Sequence, residues 1–256
     1  MTALYPQIIY GPVRSRRLGI SLGVNLLPQQ SKVCTFDCIY CECGWNSERR
    51  GAKLLPSRDQ VREALSSTLE KMAAEGALPD VITFAGNGEP TIHPEFEAII
   101  NDTIELRNLY APQAKVSVLS NATQLHRQDV VAALHRIDNN ILKLDSAFDS
   151  TIQAINKPCG NYSVATIIDQ LKRFEGELIV QTMFLRGECD GATIDNTTDH
   201  EIEAWLKVIG EIAPKQVMIY SIARDTPCQT LSAVSREELS TIAKRVEELG
   251  IMCSLA

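Results

Sequence analysis

Short β-branched runs that alternate with amphipathic stretches set the strongest limit on how this chain can fold. Candidate strands lie at 21–27, 81–85, 115–120, 141–145, 178–185 and 216–222. The stretches between them carry helix signals. Ser57 with Gln60 forms a candidate capping box ahead of Val61, Leu65, Leu69 and Met72 on one face. Thr198 with Glu201 precedes Ile202, Trp205, Leu206 and Ile209. Ser235 with Glu238 precedes Leu239, Ile242, Val246 and Leu249, with Gly250 as the stop. A helix over about 94–110 opens on a proline, which suits a first turn because that turn has no use for its N–H. Repeated strand–helix units imply parallel strands joined by right-handed crossovers, so the α/β sheet is either doubly wound or curved into a partial barrel. Either way, function belongs at the C-terminal edge of the strands.

The 256 residues exceed a typical domain, but no Gly/Ser-rich linker divides them, and α/β barrels of this length form one unit. We expect a single domain over 1–256, with a core at about 20–225, an N-terminal segment at 1–19 and a C-terminal helix at 235–250. With 25 basic and 32 acidic residues, the net charge of −7 argues against binding duplex nucleic acid by a general basic surface. Residues 11–60 run against this balance, with eight basic side chains to four acidic ones. Their bland reading is a solvated face; Arg14, Arg16 and Arg17 also hint at an anionic group. No apolar run reaches the roughly 18 residues of a membrane span, and Ser15-Arg16-Arg17-Leu18 lacks the long apolar stretch and cleavage site of an export signal. A cytoplasmic protein with no membrane partner is expected.

Four of the eight cysteines, Cys34, Cys38, Cys41 and Cys43, fall within ten residues. Cys34, Cys38 and Cys41, spaced C-x3-C-x2-C after the first strand, suit three irons of a cubane whose fourth iron stays open to a ligand. An electron-carrying ferredoxin needs a fourth cysteine; Cys43 is the nearest, but only Glu42 separates it from Cys41. Structural zinc usually draws ligand pairs from two turns, and there is no second C-x2-C. Spacing alone favours the open cluster and leaves zinc, or thiols without a metal, as alternatives.

With Tyr40 just before the third cysteine, this motif resembles the radical S-adenosylmethionine (SAM) superfamily. At the end of the second strand, Gly86-Asn87-Gly88-Glu89-Pro90 is similar to that family's segment that binds the SAM amino group, and one carboxylate beside glycines suits an ammonium. The resemblance covers about 20–225 and implies a partial (β/α)6 TIM-like barrel. Gly11-Pro12-Val13, Ser15-Arg16-Arg17-Leu18-Gly19 and Cys41-Glu42-Cys43-Gly44 look most like iron–sulfur oxidoreductases related to wybutosine-synthesis enzymes. The tRNA-modifying members carry further cysteines before the motif. This chain has none before Cys34, which lowers the expectation of a tRNA substrate.

The resemblance implies a 4Fe-4S cluster on Cys34, Cys38 and Cys41 as cofactor, together with SAM. An electron, supplied by a donor such as flavodoxin or ferredoxin, cleaves SAM to methionine and a 5′-deoxyadenosyl radical. That radical takes hydrogen from a small-molecule or peptide substrate. Ser120 and Asn121 resemble ribose contacts, Lys143 a partner for the SAM carboxylate, Asp145 another ribose contact and Tyr40 a neighbour of the adenine. Gln181 and Tyr220 are weaker candidates. Cys159, Cys189 and Cys228 each follow a strand end and would either gather as a second redox or cluster site or act as small hydrophobes. Cys253 and the four histidines receive no role. The competing functions are a glycyl-radical activase acting on a partner protein, a wyosine-type tRNA modification, and a non-enzymatic zinc or iron–sulfur module.

Overall fold

A computed structural model describes residues 4–15, 19–48, 51 and 54–255. The elements run β1 (Ile9–Ser15), β2 (Gly19–Val24), α1 (Arg58–Ala74), β3 (Val81–Phe84), α2 (Phe96–Tyr110), β4 (Lys115–Ser120), α3 (Gln128–His135), β5 (Asn139–Lys143), α4 (Asp149–Ile155), α5 (Val164–Lys172) and β6 (Ile179–Met183). Then follow β7 (Leu185–Cys189), β8 (Ala192–Asp195), α6 (Asp199–Ile212), β9 (Gln216–Tyr220), β10 (Leu231–Ala233), α7 (Arg236–Glu247) and β11 (Met252–Leu255).

The main sheet has the order β1-β2-β3-β4-β5-β6-β9-β11, parallel throughout except for β1. All six expected strands are present. Three expectations change. The expected first strand ends at Val24 because the Asn25 side chain turns the chain, accepting from the Leu27 amide at 3.2 Å and donating to its carbonyl at 3.1 Å. The fifth breaks after Met183, so that Leu185 opens a separate antiparallel sheet of order β10-β7-β8. Beyond the last helix, where only a tail is expected, Gly250 adopts φ +79° and β11 pairs with β9 as a seventh parallel strand.

Alternation along each strand sorts side chains to two faces. Ile82, Phe84, Val116, Val118, Leu142, Val180, Val217 and Ile219 pack outward against the helices. Ser21, Thr83, Leu119, Ile141, Gln181 and Met218, from six neighbouring strands, all line one cavity of about 520 Å³. A sheet whose six strands enclose a common space is curved into a partial barrel. The boxes at Ser57/Gln60 and Ser235/Glu238 form reciprocally as expected. At α6 only half forms: Thr198 caps the Glu201 amide, but the Glu201 carboxylate instead accepts from Ser146 (2.7 Å) and Thr151 (2.5 Å). Leu249, expected on the buried face of the last helix, is exposed because α7 ends at Glu247.

Candidate active site

The loop after β2 carries the three-cysteine motif and has no regular secondary structure, so its backbone groups need partners elsewhere. Three segments supply them. The Val33 amide donates to the Asn87 carbonyl at 2.9 Å, and the Glu89 amide donates to the Val33 carbonyl at 3.2 Å. The amides of Asp37 and Ile39 donate to the carbonyls of Asn156 and Ile155, each at 2.9 Å, and the Cys159 amide donates to Thr35 at 2.8 Å. From the far side, the Cys228 amide donates to Ile39 at 3.3 Å. Phe36, Ile39 and Tyr40 bury themselves against Ile155, Met183 and Leu185, which anchors the loop over the C-terminal ends of the strands.

Cys34, Cys38 and Cys41 are free thiols, the first two with side-chain amide donors. Asn121 Nδ2 stands 3.7 Å from Cys34 Sγ, and Asn156 Nδ2 stands 3.4 Å from Cys38 Sγ. The Cys43 thiol donates to the Gly86 carbonyl at 3.4 Å. Burial pushes Cys34 up and Cys38 to about 11. Next to Cys43 and the Lys32 ammonium, Cys41 is drawn below the usual thiol range, while Cys43, buried beside it, is raised. Lys32 is 3% exposed; its Nζ donates to the Gly44 carbonyl at 2.7 Å and to Asp37 Oδ1 at 3.1 Å. Burial opposes its charge, but Cys41, Cys34 and Asp37 outweigh that and raise its pKa.

The Gly86–Glu89 turn lies against this loop. A Cβ on Gly88 would come 1.9 Å from the Val33 carbonyl oxygen, so only glycine allows this approach. Asn87 points away from the thiols: Oδ1 accepts from the Tyr5 amide at 2.8 Å, and Nδ2 donates to the carbonyls of Tyr5 (2.9 Å) and Pro28 (2.8 Å). The Glu89 carboxylate is 2% exposed and gathers the expected strand-end residues around it. Oε1 accepts from Ser120 Oγ at 2.8 Å and from the Thr91 hydroxyl and amide, and Oε2 accepts from the Asn121 amide at 2.7 Å. Burial raises its pKa against these donors.

Asp145 and Lys143 stand together at the end of β5. Lys143 Nζ lies 3.5 Å from Asp145 Oδ1 and 2.8 Å from Tyr220 Oη, and it sits over the rings of Tyr40 and Tyr220 at 5.2 and 5.3 Å. Tyr40 Oη donates to Asp145 Oδ2, which Asn156 Nδ2 also approaches at 2.7 Å. Asn156 therefore links Cys38 directly to the Tyr40–Asp145–Lys143 group. Tyr40, Cys41, Gln181 and Tyr220 line the 520 Å³ cavity; Tyr5, Cys41, Glu42 and Arg224 are shared with a second cavity of about 580 Å³. Glu42 and Arg224, paired at 2.5 Å, stand where the two meet.

Among the scattered cysteines, Cys189 and Cys228 are neighbours, while Cys159 is exposed, 3.6 Å from Asn46 Nδ2. Cys253 lies on β11 and packs on the main core. Arg14 lines the 520 Å³ cavity; Arg16 and Arg17 lie outside the described residues. Sequence reasoning missed Lys32, Asn156, Arg224 and Tyr5, none of which belongs to a motif.

A curved parallel sheet with three thiols at its C-terminal rim, a glycine turn beside them and a cavity beneath defines a partial barrel with a thiol-rich site at its mouth. The radical SAM superfamily model matches residues 30–209, and the chain belongs to that superfamily, whose enzymes use a 4Fe-4S cluster and SAM. A UPF0026 protein of Synechocystis sp. is 30% identical over 235 residues, spanning 90% of this chain and 80% of its own. A protein of Brachyspira hyodysenteriae named GTPase Obg is 27% identical over 243 residues; the match takes in 93% of this chain but only 33% of that protein. Solved structures agree on the fold at low identity. A radical SAM methyltransferase from Sphaerobacter thermophilus has a TM-score of 0.68 at 13% identity, covering 92% of this chain and 65% of its own. Streptococcus suis SuiB bound to the precursor peptide SuiA has 0.63 at 14%, covering 89% and 47%. Archaeal TYW1 has 0.54 at 13%, covering 89% and 71%.

Proposed function

We propose that Cys34, Cys38 and Cys41 hold the 4Fe-4S cluster, leave one iron for SAM, and serve a reaction in which hydrogen is taken from a small-molecule or peptide substrate. The observation that carries this reading is the braced loop of three free thiols opening, at Cys41, onto the barrel cavity. The donor set fits a cubane: three soft sulfur ligands, two with amide donors, beside the buried Lys32 ammonium. When bound, the cluster and SAM supply reductive cleavage of a sulfonium to a carbon radical.

The chain's own residues bind and orient. The Gly86–Gly88 backbone and the Glu89 carboxylate, fixed by four donors, take the SAM amino group. Lys143 takes its carboxylate, Asp145 with Ser120 and Asn121 the ribose, and Tyr40 stands towards the adenine. The partly enclosed cavity keeps water from the reacting carbon. A flavodoxin- or ferredoxin-type donor supplies the electron. The acidic balance favours a non-nucleic-acid substrate, and among the described residues no helix is long and apolar enough to cross a membrane. We place the enzyme in the cytoplasm as one unit over 1–256.

The test is anaerobic reconstitution with iron and sulfide, then dithionite and SAM, with 5′-deoxyadenosine quantified for wild type and Cys38→Ala. Nucleoside from the wild type alone supports the assignment. A Cys38→Ala protein that still makes nucleoside at the wild-type rate overturns it.

A further inference from the structure

Three polar side chains outside the cysteine motif bear on its sulfurs, two as amide donors and one as a buried charge. Asn121 Nδ2 approaches Cys34 at 3.7 Å and Asn156 Nδ2 approaches Cys38 at 3.4 Å, while the Lys32 ammonium is fixed inside the cysteine loop by the Gly44 carbonyl at 2.7 Å and Asp37 Oδ1 at 3.1 Å. Two of them are placed at a cost. The Lys32 side chain is 1% exposed, and a buried ammonium loses its hydration. Asn156 is fully buried, its Nδ2 shared among Cys38 Sγ, Tyr40 Oη (2.9 Å) and Asp145 Oδ2 (2.7 Å), while its Oδ1 has no hydrogen-bond partner. An amide held with its oxygen unsatisfied has been oriented by what its nitrogen faces.

Taking the three cysteines as the cluster ligands, as proposed above, we infer that Lys32 and Asn156 are positioning residues that set the cluster's reduction potential by stabilising its extra negative charge. The physical reason is electrostatic. Ligating thiolates are deprotonated, and a one-electron reduction adds another negative charge to a buried site. Hydrogen bonds to sulfur and nearby charge are the levers by which a protein raises such a potential. Lys32 supplies a whole charge in a desolvated position. Its partner Asp37, with 24% of its side chain exposed, is better screened by water and offsets Lys32 only in part. Asn156 supplies a neutral donor and also connects Cys38 to the Asp145 and Lys143 side chains.

The experiment is an EPR-monitored redox titration of cluster-loaded protein for wild type, Lys32→Met, Lys32→Arg, Asn156→Leu and Asp37→Asn, with iron content and thermal midpoint recorded for each. At a fixed poise the reduced-to-oxidised ratio should fall about tenfold in Lys32→Met, equivalent to about 59 mV for one electron, and about threefold in Asn156→Leu. Lys32→Arg should stay within about twofold of wild type, and Asp37→Asn should shift the other way. A merely structural role lacks that opposite sign. The inference is overturned if Lys32→Met and Asn156→Leu titrate with the wild type, or if all four variants shift downwards together. Should Lys32→Met fail to take up iron, the opposite shifts of Asn156→Leu and Asp37→Asn still decide. Failure of the ligand assignment is read separately, as full cluster loading of Cys38→Ala.

Discussion

At Gly88 one hydrogen atom in place of a methyl group decides whether the cysteine loop can lie against the glycine turn. The residue sits at φ +137°, and its Cβ would run into the Val33 carbonyl. Gly88→Ala therefore costs about 1–3 kcal/mol in backbone strain alone, with the collision added to it. Gly76, at φ +67° with no atom within 4 Å of its would-be Cβ, is the control. We expect Gly88→Ala to lower the thermal midpoint clearly more than Gly76→Ala, measured by circular dichroism; equal drops would mean that the loop can move aside. At this scale the sequence was legible where residue types form a spaced motif, as at Cys34, Cys38 and Cys41. It was not legible where a side chain's role depends on contacts without a period. Lys32 looks like a solvated loop lysine until Gly44, twelve positions on, is folded back onto it. Asn87 lies inside the glycine turn, yet its amide clasps the Tyr5 backbone.

Helix starts show how far local patterns reach. The Ser57/Gln60 and Ser235/Glu238 boxes involve only neighbours and were readable in advance; the same pattern at Thr198 misleads because Ser146 and Thr151 compete for the Glu201 carboxylate. Glu201→Ala strands two hydroxyls and should cost about 1–3 kcal/mol in chemical denaturation. Loss of the exposed Gln60 side chain should cost less than about 1 kcal/mol. Glu238 makes a prediction in pH. Its hydrogen bonds from Ser235, and then its contact with Arg186, lower its pKa from an ordinary 4.5 to about 2. A depressed carboxyl pKa adds stability that is complete above the unfolded value and is lost as pH falls towards the folded one. The thermal midpoint should therefore lose an increment between about pH 4.5 and 2, and Glu238→Gln should lack that increment while melting lower at pH 7. A Glu238→Gln acid limb identical to wild type would contradict the cap. Of the strands that escaped reading, β7, β8, β10 and β11 are short and carry mixed polarity, and β1, seven residues long, is broken in register between Tyr10 and Val13 by Gly11 and Pro12. Their identity depends on partners far along the chain rather than on their own pattern.

For the molecule as a whole, the final strand covers an edge. β11 pairs with β9 through Met252↔Gln216 to Leu255↔Ile219. Without it, β9 would present unpaired backbone groups, a template for association with other chains. Deleting 251–256 should lower the thermal midpoint and produce concentration-dependent scattering; a monodisperse truncated protein of unchanged midpoint would show that β9 tolerates exposure. The barrel itself was readable because strand–helix alternation repeats along the chain. Its seventh strand was not, since four residues after a helix carry no such rhythm. The bracing of the cysteine loop has a consequence for the order in which the molecule is made. The loop is synthesised early, but its backbone partners include Ile155, Asn156 and finally Cys228. On a ribosome, where a chain folds from its N-terminus onward, the thiols emerge long before their mould exists. Metal delivery that waits for the finished chain meets a shaped receptacle; delivery to the nascent chain meets only a flexible thiol-rich tether.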